Sequence, residues 1–307
     1  MKTADYLNNW LELRKPRLAP TTYFSYVDVV NRYLIPYFGS KEVDEVSSFD
    51  VELFLGGLLS SGLAPATVKR IYSVFRSAMS KAAKMGLITT NPTGGDKIDP
   101  LPRLRKEVEV FSPAEVHQLL QALQSESLRW LCYGRAAIDS GARRGELVGL
   151  QWRDLSGTCC QIRRAAYKLK GQPASTKAPK SGKARTVHLT RETAALLEQL
   201  RREQKKACLK AGTGWNNQLF VFGTRGAMLH PTTPTKWWRG FLQRSGLQSR
   251  PLHALRHTSA TLLLSGGVDI KTVSARLGHS SLEVTQLYLH LIGDADQRAA
   301  EVMESIL

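Results

Sequence analysis

Between Asn91 and Lys106 the chain carries three prolines, two glycines and four cations. That composition disfavours helix and strand alike and reads as an extended linker. A chain of 307 residues is long enough for two domains, each with its own core. The expected division is therefore 1–92, a linker over 93–107, and 108–307. Charge is unequal across that division, with 11 basic against 8 acidic residues over 1–95 and 28 against 16 over 107–307. The formal net charge of +17 points to a polyanionic partner, nucleic acid first and a membrane surface second. No stretch approaches the ~20 apolar residues of a membrane span, and the N-terminal residues lack a signal-peptide apolar region. The four cysteines form no CxxC pair and no metal-finger spacing, so reduced thiols in a cytoplasmic protein are expected.

The first part reads as helices. Tyr23, Tyr26, Val27, Val30, Tyr33 and Leu34 recur at helical spacing, with Pro36 and Gly39 expected to stop the run. Val68, Ile71, Phe75, Ala78, Met79 and Ala82 form a second apolar stripe ending at Gly86. Off that stripe stand Lys69, Arg70, Arg76, Lys81 and Lys84. They are either a solvated face or a helix laid along a DNA groove to neutralise phosphates.

The second part is mainly helical with one β excursion. Ser112-Pro-Ala-Glu115 is a capping-box start, and Gly141 should break the following helix. Residues 158–189 have strand character, with Gly171, Pro173, Pro179 and Gly182 as turn punctuation. Adjacent Cys159 and Cys160 should point to opposite faces of a strand. Residues 161–185 hold eight cations and no acid, which is costly by self-repulsion unless a polyanion lies against them. Within them, Lys180-Ser-Gly-Lys183 is expected to be the hairpin turn itself.

Several side chains could carry chemistry. Arg143 and Glu146 are three apart, which suits either an intrahelical salt bridge or an arginine facing a phosphate with Glu146 supporting it. Lysine fits a proton donor better than arginine, which effectively cannot deprotonate. His253, Arg256 and His257 share one helix turn. The two histidines have metal-ligand spacing, but Ala254 stands where a zinc protease has its glutamate and Arg256 adds positive charge, so no metal is expected. Asp269 can cap a short helix ended by Gly278; His279 follows in the turn. Ser280 to Glu283 offers a capping box for a helix carrying Val284, Leu287 and Tyr288. Tyr288 is a core aromatic or a nucleophile. A phenol among arginines and histidines suits cleavage of a phosphodiester through a covalent phosphotyrosine.

Three segments together resemble the tyrosine recombinases, the phage-integrase and Xer family. Ser140-Gly-Ala-Arg143-Arg-Gly-Glu146-Leu-Val-Gly-Leu-Gln-Trp-Arg-Asp154 is similar to the first arginine box. Leu252-His253-Ala-Leu-Arg256-His257-Thr-Ser-Ala is similar to the His-x-x-Arg box. Leu277-Gly278-His279-Ser-Ser-Leu-Glu-Val-Thr-Gln-Leu-Tyr288 is similar to the final box, including the nine-residue step from His to Tyr. Pro20-Thr-Thr-Tyr-Phe-Ser-Tyr, Ile35-Pro-Tyr-Phe-Gly39 and Gly86-Leu-Ile-Thr-Thr-Asn91-Pro resemble the helical region of integrases of phages and mobile elements. Many of these carry a further arm-binding domain. Here the resemblance begins almost at Met1, so a simple recombinase on short core sites is expected.

The resemblance implies a mainly α fold with a small antiparallel β-sheet: an all-helical SAM-like core-binding domain and a mixed α/β catalytic domain, closing on DNA as a C-shaped clamp. It implies that Tyr288 attacks the scissile phosphate, that Arg143, Arg256, His253 and His279 stabilise the developing charge, and that Glu146 orients the cluster. Lys180 would protonate the leaving oxygen, with Lys177 as second choice. Lys69, Arg70, Arg76, Lys81, Lys84, Lys177, Lys183 and Arg185 would contact DNA. No cofactor or metal is implied. The implied partners are double-stranded DNA with specific core sites, a homotetramer on two sites, and an accessory DNA-bending or directionality factor, in the cytoplasm at the nucleoid. The tail from Ala299 to Leu307 would dock on a neighbouring protomer or pack on its own. An element integrase is the first reading and an Xer-type resolvase the second. A catalytically silent DNA-binding regulator and a type IB topoisomerase are separable by product.

Overall fold

The computed structural model describes residues 1–94, 96–101, 108–180, 182–279, 281–288 and 303–304. The chain divides into two compact units, Met1–Lys106 and Glu107–Leu307.

The first unit is built from α1 (Thr3–Arg14), α2 (Pro20–Val29), α3 (Ile35–Phe38), α4 (Ser48–Ser60) and α5 (Pro65–Lys84). Phe38 stacks on Phe75 at 4.5 Å between ring centroids and meets Phe54 edge-on at 5.0 Å. The α5 stripe from Val68 to Ala82 is buried, while Lys69, Arg70, Arg76, Lys81 and Lys84 are exposed on its other side. Pro36 does not stop the preceding run as expected. Residues Val30–Leu34 widen into a π turn, in which the N–H of Ile35 reaches back to the carbonyl of Val30. That change of register carries the chain past the missing proline N–H, and the helix ends at Gly39. There a Cβ would lie 2.4 Å from the Ile35 carbonyl oxygen.

Part of the expected linker lies against this unit. Ile98 is buried in its core, Tyr72 donates to the Thr93 carbonyl at 3.0 Å, and the Asp99 N–H donates to Glu52 at 2.6 Å. Gly95 and residues 102–107 lie outside the described residues.

The second unit begins with α6 (Pro113–Leu123), α7 (Leu128–Ser140) and α8 (Arg144–Val148). The Ser112–Glu115 capping box at the head of α6 is formed. Five strands follow: β1 (Leu155–Ser156), β2 (Cys159–Ile162), β3 (Ala165–Tyr167), β4 (Ser175–Lys177) and β5 (Arg185–His188). They form an antiparallel sheet in the order β1-β2-β5 and a separate β3-β4 pair. Cys160 is buried and Cys159 half-buried, as strand alternation requires. The chain then continues as α9 (Arg191–Lys210), α10 (Thr233–Arg244), α11 (Ala254–Ser265), α12 (Ile270–Leu277) and α13 (Glu283–Gln286).

The pairing corrects the expected hairpin. Ala165 is opposite Lys177 and Tyr167 opposite Ser175, while Ile162 is opposite Arg185. The hairpin tip therefore falls between Tyr167 and Ser175. Lys180 lies on the returning arm, in the loop between β4 and β5, where Gly182 turns back on the Pro179 carbonyl at 2.8 Å. Antiparallel strands must pair outward from their turn, so residues 180–183 cannot be the tip once Lys177 pairs with Ala165.

α13 also departs from expectation. Its N-cap is Leu282, with no side-chain cap, and Ser280, the expected cap, lies outside the described residues. Tyr288 follows the helix in a turn, its N–H on the Thr285 carbonyl at 3.1 Å. Of the tail from Ala299 to Leu307, only Met303 and Glu304 are described. Among the described residues, no helix is long and apolar enough to cross a membrane.

Candidate active site

Glu146 is the hub of a cluster of cations. It lies on α8 and is 1% exposed. Arg185, arriving on β5, grips it with both terminal nitrogens, at 3.2 and 2.7 Å, and donates its Nε to the Arg276 carbonyl at 2.8 Å. Arg143 donates its backbone N–H to Glu146 at 2.9 Å and its Nη1 at 3.1 Å. Burial is the largest influence on this carboxyl and raises its pKa. The Arg185 and Arg143 interactions outweigh it, and the value falls below the ordinary glutamate range. The Arg143–Glu146 pair expected from their spacing is formed, and Arg185 joins it. Arg185 differs from expectation: its side chain is committed to Glu146 rather than turned outward for DNA.

Arg256, in the first turn of α11, is 3% exposed. Its guanidinium donates to the carbonyl oxygens of Gly141 and Leu277, each at 2.8 Å, and Arg143 donates to that of Gly278 at 3.3 Å. Burial, and then the charge of Arg143, lowers the Arg256 pKa to about 9, which leaves it cationic at neutral pH. Two left-handed glycines make these contacts possible. Gly141 (φ +59) ends α7, and a Cβ there would lie 2.4 Å from Leu277 Cδ2. Gly278 (φ +66) ends α12, and a Cβ there would lie 3.0 Å from the Arg185 guanidinium. Each turns a helix-terminal carbonyl toward an arginine.

A cavity of about 580 Å³ opens beside the cluster, lined by Arg143, Arg144, Arg239, Arg250, His253 and Arg256 among others. His253 is exposed at its wall. Desolvation on its protein side, then the charges of His257, Arg256 and Arg143, push its pKa down to about 4. His279 is half-buried, its Nδ1 2.8 Å from the Thr285 hydroxyl. Burial and then Arg256 bring it to about 4 as well. Both rings are neutral hydrogen-bonding groups at pH 7.

Tyr288 is 2% exposed and packs with Ala260, Leu264, Val273 and Leu277. It is not among the residues lining the cavity. Its ring stacks with that of His279 at 6.3 Å, and its hydroxyl lies 2.7 Å from His257 Nδ1. Burial raises the phenol pKa, opposed by the charges of Arg256 and Arg143. Arg143, Glu146, His253, Arg256, His279 and Tyr288 are thus brought together, and the structure adds Arg185 and His257. Arg185 was visible in the sequence only as the last of the eight cations of residues 161–185. His257 was visible only as a neighbour of Arg256, on the face it shares with His253. Among the described residues no group of three His, Cys, Asp or Glu could hold a metal ion.

The hairpin lysines do not line the cavity. Lys180 is exposed in its loop. Lys177 is half-buried, with its Nζ 5.3 Å from the centre of the Tyr167 ring, and Lys183 is exposed. The hairpin base lies against α8, where a Cβ on Gly145 would be 2.8 Å from the Ala166 carbonyl oxygen. That approach sets the β3-β4 pair beside the helix that Arg143 opens.

The model of the phage integrase family matches residues 109–293, and that of the phage integrase N-terminal SAM-like domain matches residues 4–59. The chain belongs to the phage integrase family and is a tyrosine recombinase, an enzyme of site-specific DNA recombination. It is 28% identical to a XerC-like tyrosine recombinase of Caldanaerobacter subterraneus, over 98% of this chain and 82% of the relative. It is 23% identical to the ICEBs1 integrase of Bacillus subtilis, over 94% and 78%. In fold it is similar to the Tn1549 transposon integrase, solved with a circular intermediate DNA, at a TM-score of 0.82 and 18% identity over 99% of each chain. It is also similar to a lambda integrase dimer bound to a core site, at 0.68 and 19% identity, over 92% of this chain and 96% of that one.

Proposed function

We propose that the chain is an integrase of a mobile element, cutting and rejoining DNA at short core sites through a 3′-phosphotyrosyl link at Tyr288. The observation that carries this reading is the convergence of Arg143, Arg185 and Arg256 around one buried carboxylate, beside a cavity walled by further arginines. Three guanidinium groups against one carboxylate leave a surplus of positive charge fixed by main-chain hydrogen bonds. Preorganised charge of this kind stabilises the oxygens of a phosphorane without reorganisation. Arg143 and Arg256 hold the phosphate, and His253 and His279, neutral at pH 7, donate hydrogen bonds to its oxygens. Glu146 fixes the cluster through Arg143 and Arg185. Tyr288 attacks, the 5′ oxygen leaves with a proton from Lys180, and the reverse reaction on a new 5′ hydroxyl reseals the strand. The phosphotyrosine conserves the energy of the broken bond, so the chemistry calls for no metal or nucleotide.

Lys69, Arg70, Arg76, Lys81 and Lys84 on α5, with Lys177 and Lys183 of the hairpin region, contact the phosphate backbone of the duplex. Four such protomers on two sites exchange strands, aided by a DNA-bending or directionality factor and acting on DNA in the cytoplasm. The integrase reading is preferred over an Xer-type resolvase because Pro20–Tyr26, Ile35–Gly39 and Gly86–Pro92 resemble integrases of phages and mobile elements. Trapping the chain on a nicked suicide duplex made from its flanking genomic DNA tests the reading. A covalent adduct whose peptide maps to Tyr288 is expected; an adduct on another residue, or none, overturns it.

A further inference from the structure

The phenol of a tyrosine nucleophile must lose its proton as it attacks, and the family resemblance assigned no acceptor for that proton. Tyr288 is held where burial disfavours ionisation, so the acceptor must lie against the hydroxyl itself. The described hydrogen bond of this hydroxyl is to His257 Nδ1, at 2.7 Å, within the reach required of a general base. The two rings lie 5.5 Å apart between centroids, and the His257 ring meets that of His253 edge-on at 4.7 Å. We propose that His257 is a catalytic residue, the general base that takes the proton from Tyr288 as the phenol attacks DNA.

This rests on Tyr288 being the nucleophile. In the step, the O–H bond of Tyr288 breaks and an N–H bond forms at His257 Nδ1. The freed oxygen pair makes the O–P bond, the P–O5′ bond breaks, and the 5′ oxygen takes a proton from the separate acid. The ring must therefore be neutral, with its hydrogen on Nε2, before the reaction. The groups around it favour that state. Arg256 lies on its own helix and His253 at the head of it, and His279 and Tyr288 lie on the segment packed against it. Burial, and then the charge of Arg256, lowers the His257 pKa, and the ring is an unprotonated acceptor at neutral pH.

The test is the rate of covalent adduct formation on a nicked suicide duplex between pH 6 and 9, for the wild type, His257→Asn and His257→Leu. Asn keeps a polar atom near the Nδ1 position but cannot take a proton at these pH values. Both variants are expected to bind the duplex as the wild type does and to form adduct roughly 10²-fold or more slowly. The wild-type rate should be flat from pH 7 to 9. The rates of the variants should rise about tenfold per pH unit, because only the ionised phenol then reacts. Added imidazole should partly restore His257→Leu. An Asn variant as fast as the wild type, with the same pH profile, overturns the proposal and leaves His257 a merely positioning group. Should both variants misfold, a wild-type rate that climbs steadily from pH 7 to 9 overturns it alone. An adduct persisting in Tyr288→Phe would instead remove the reading on which the proposal rests.

Discussion

The arginine cluster and the Tyr288 segment belong to one unit, yet they are held in opposite ways. Arg143, Arg185 and Arg256 come from the head of α8, from β5 and from α11, and are tied to a buried carboxylate and to carbonyls at the ends of α7 and α12. Moving any one of them would strand a buried charge or a buried carbonyl, each costing ~1–3 kcal/mol or more. Tyr288 follows a four-residue helix, and its polar anchorage is the contact with His257. Stabilising charge acts best when it is fixed in advance. Tyr288 lies outside the lining of the cavity, with its hydroxyl on His257. The fold therefore builds in the groups that stabilise the transition state and leaves the group that starts the reaction adjustable.

The sharpest way to break this comparison is to remove the adjustable group alone. Tyr288→Phe should lose all covalent adduct while keeping DNA affinity and the cluster, as read by denaturing gel and by equilibrium binding. A loss of affinity comparable to the loss of adduct would show that the two regions are not separable.

A smaller effect tests the loop between β4 and β5. Lys180→Ala should slow cleavage by roughly 10²–10⁴-fold, the usual contribution of a general acid. A substrate with a better 5′ leaving group should restore the rate. The same rescue in Lys177→Ala instead would move the acid to β4, where that side chain lies over Tyr167.

Within the cluster, Glu146→Gln should lower unfolding free energy by roughly 3 kcal/mol, because breaking a buried pair strands the remaining charges of Arg143 and Arg185. Its pH signature has a definite sign. The folded carboxyl titrates below the ordinary glutamate range, so its stabilisation is present above that range and is lost as pH falls through the lower folded value. His253 and His279 act earlier. Their folded values of about 4 lie below those of the unfolded chain, which therefore binds more protons between about 6.5 and 4, and stability falls with pH across that window. Denaturant unfolding at several pH values should show the second limb in both proteins and the Glu146 limb in the wild type alone.

How much of this was legible depends on the range of the contacts. The α5 stripe, the capping box at Ser112 and the break at Gly141 follow from spacing within one element and were readable. So was the grouping of Arg143, His253, Arg256, His279 and Tyr288, because those boxes resemble a family. The partner of Arg185 was not. Its carboxylate lies 39 residues away, and an arginine in a basic stretch reads as a DNA contact until the sheet register turns it inward. Lys180 was misplaced for the same reason: the β3-β4 pairing that shifts the tip depends on strand register. The passage through Pro36 was hidden because a π turn relieves a proline by a local register change that no residue type announces. The 2.7 Å contact between His257 and Tyr288 joins residues 31 apart, and only packing brings them together.

The smallest expected effect lies in the other unit and asks whether its exposed cations act as a solvated face or as a phosphate track. Lys69, Arg70, Arg76, Lys81 and Lys84 lie off the buried stripe of α5, so replacing one should leave that core intact. If such a side chain neutralises a DNA phosphate, its alanine variant should weaken binding alike across sequences. It should also reduce the slope of log affinity against log salt by ~0.9. A cation that is only solvated leaves the slope unchanged. Fluorescence titrations of Lys81→Ala, Lys84→Ala and the double variant between 50 and 200 mM salt separate the two cases. An unchanged slope in all three would make Lys81 and Lys84 part of a solvated face.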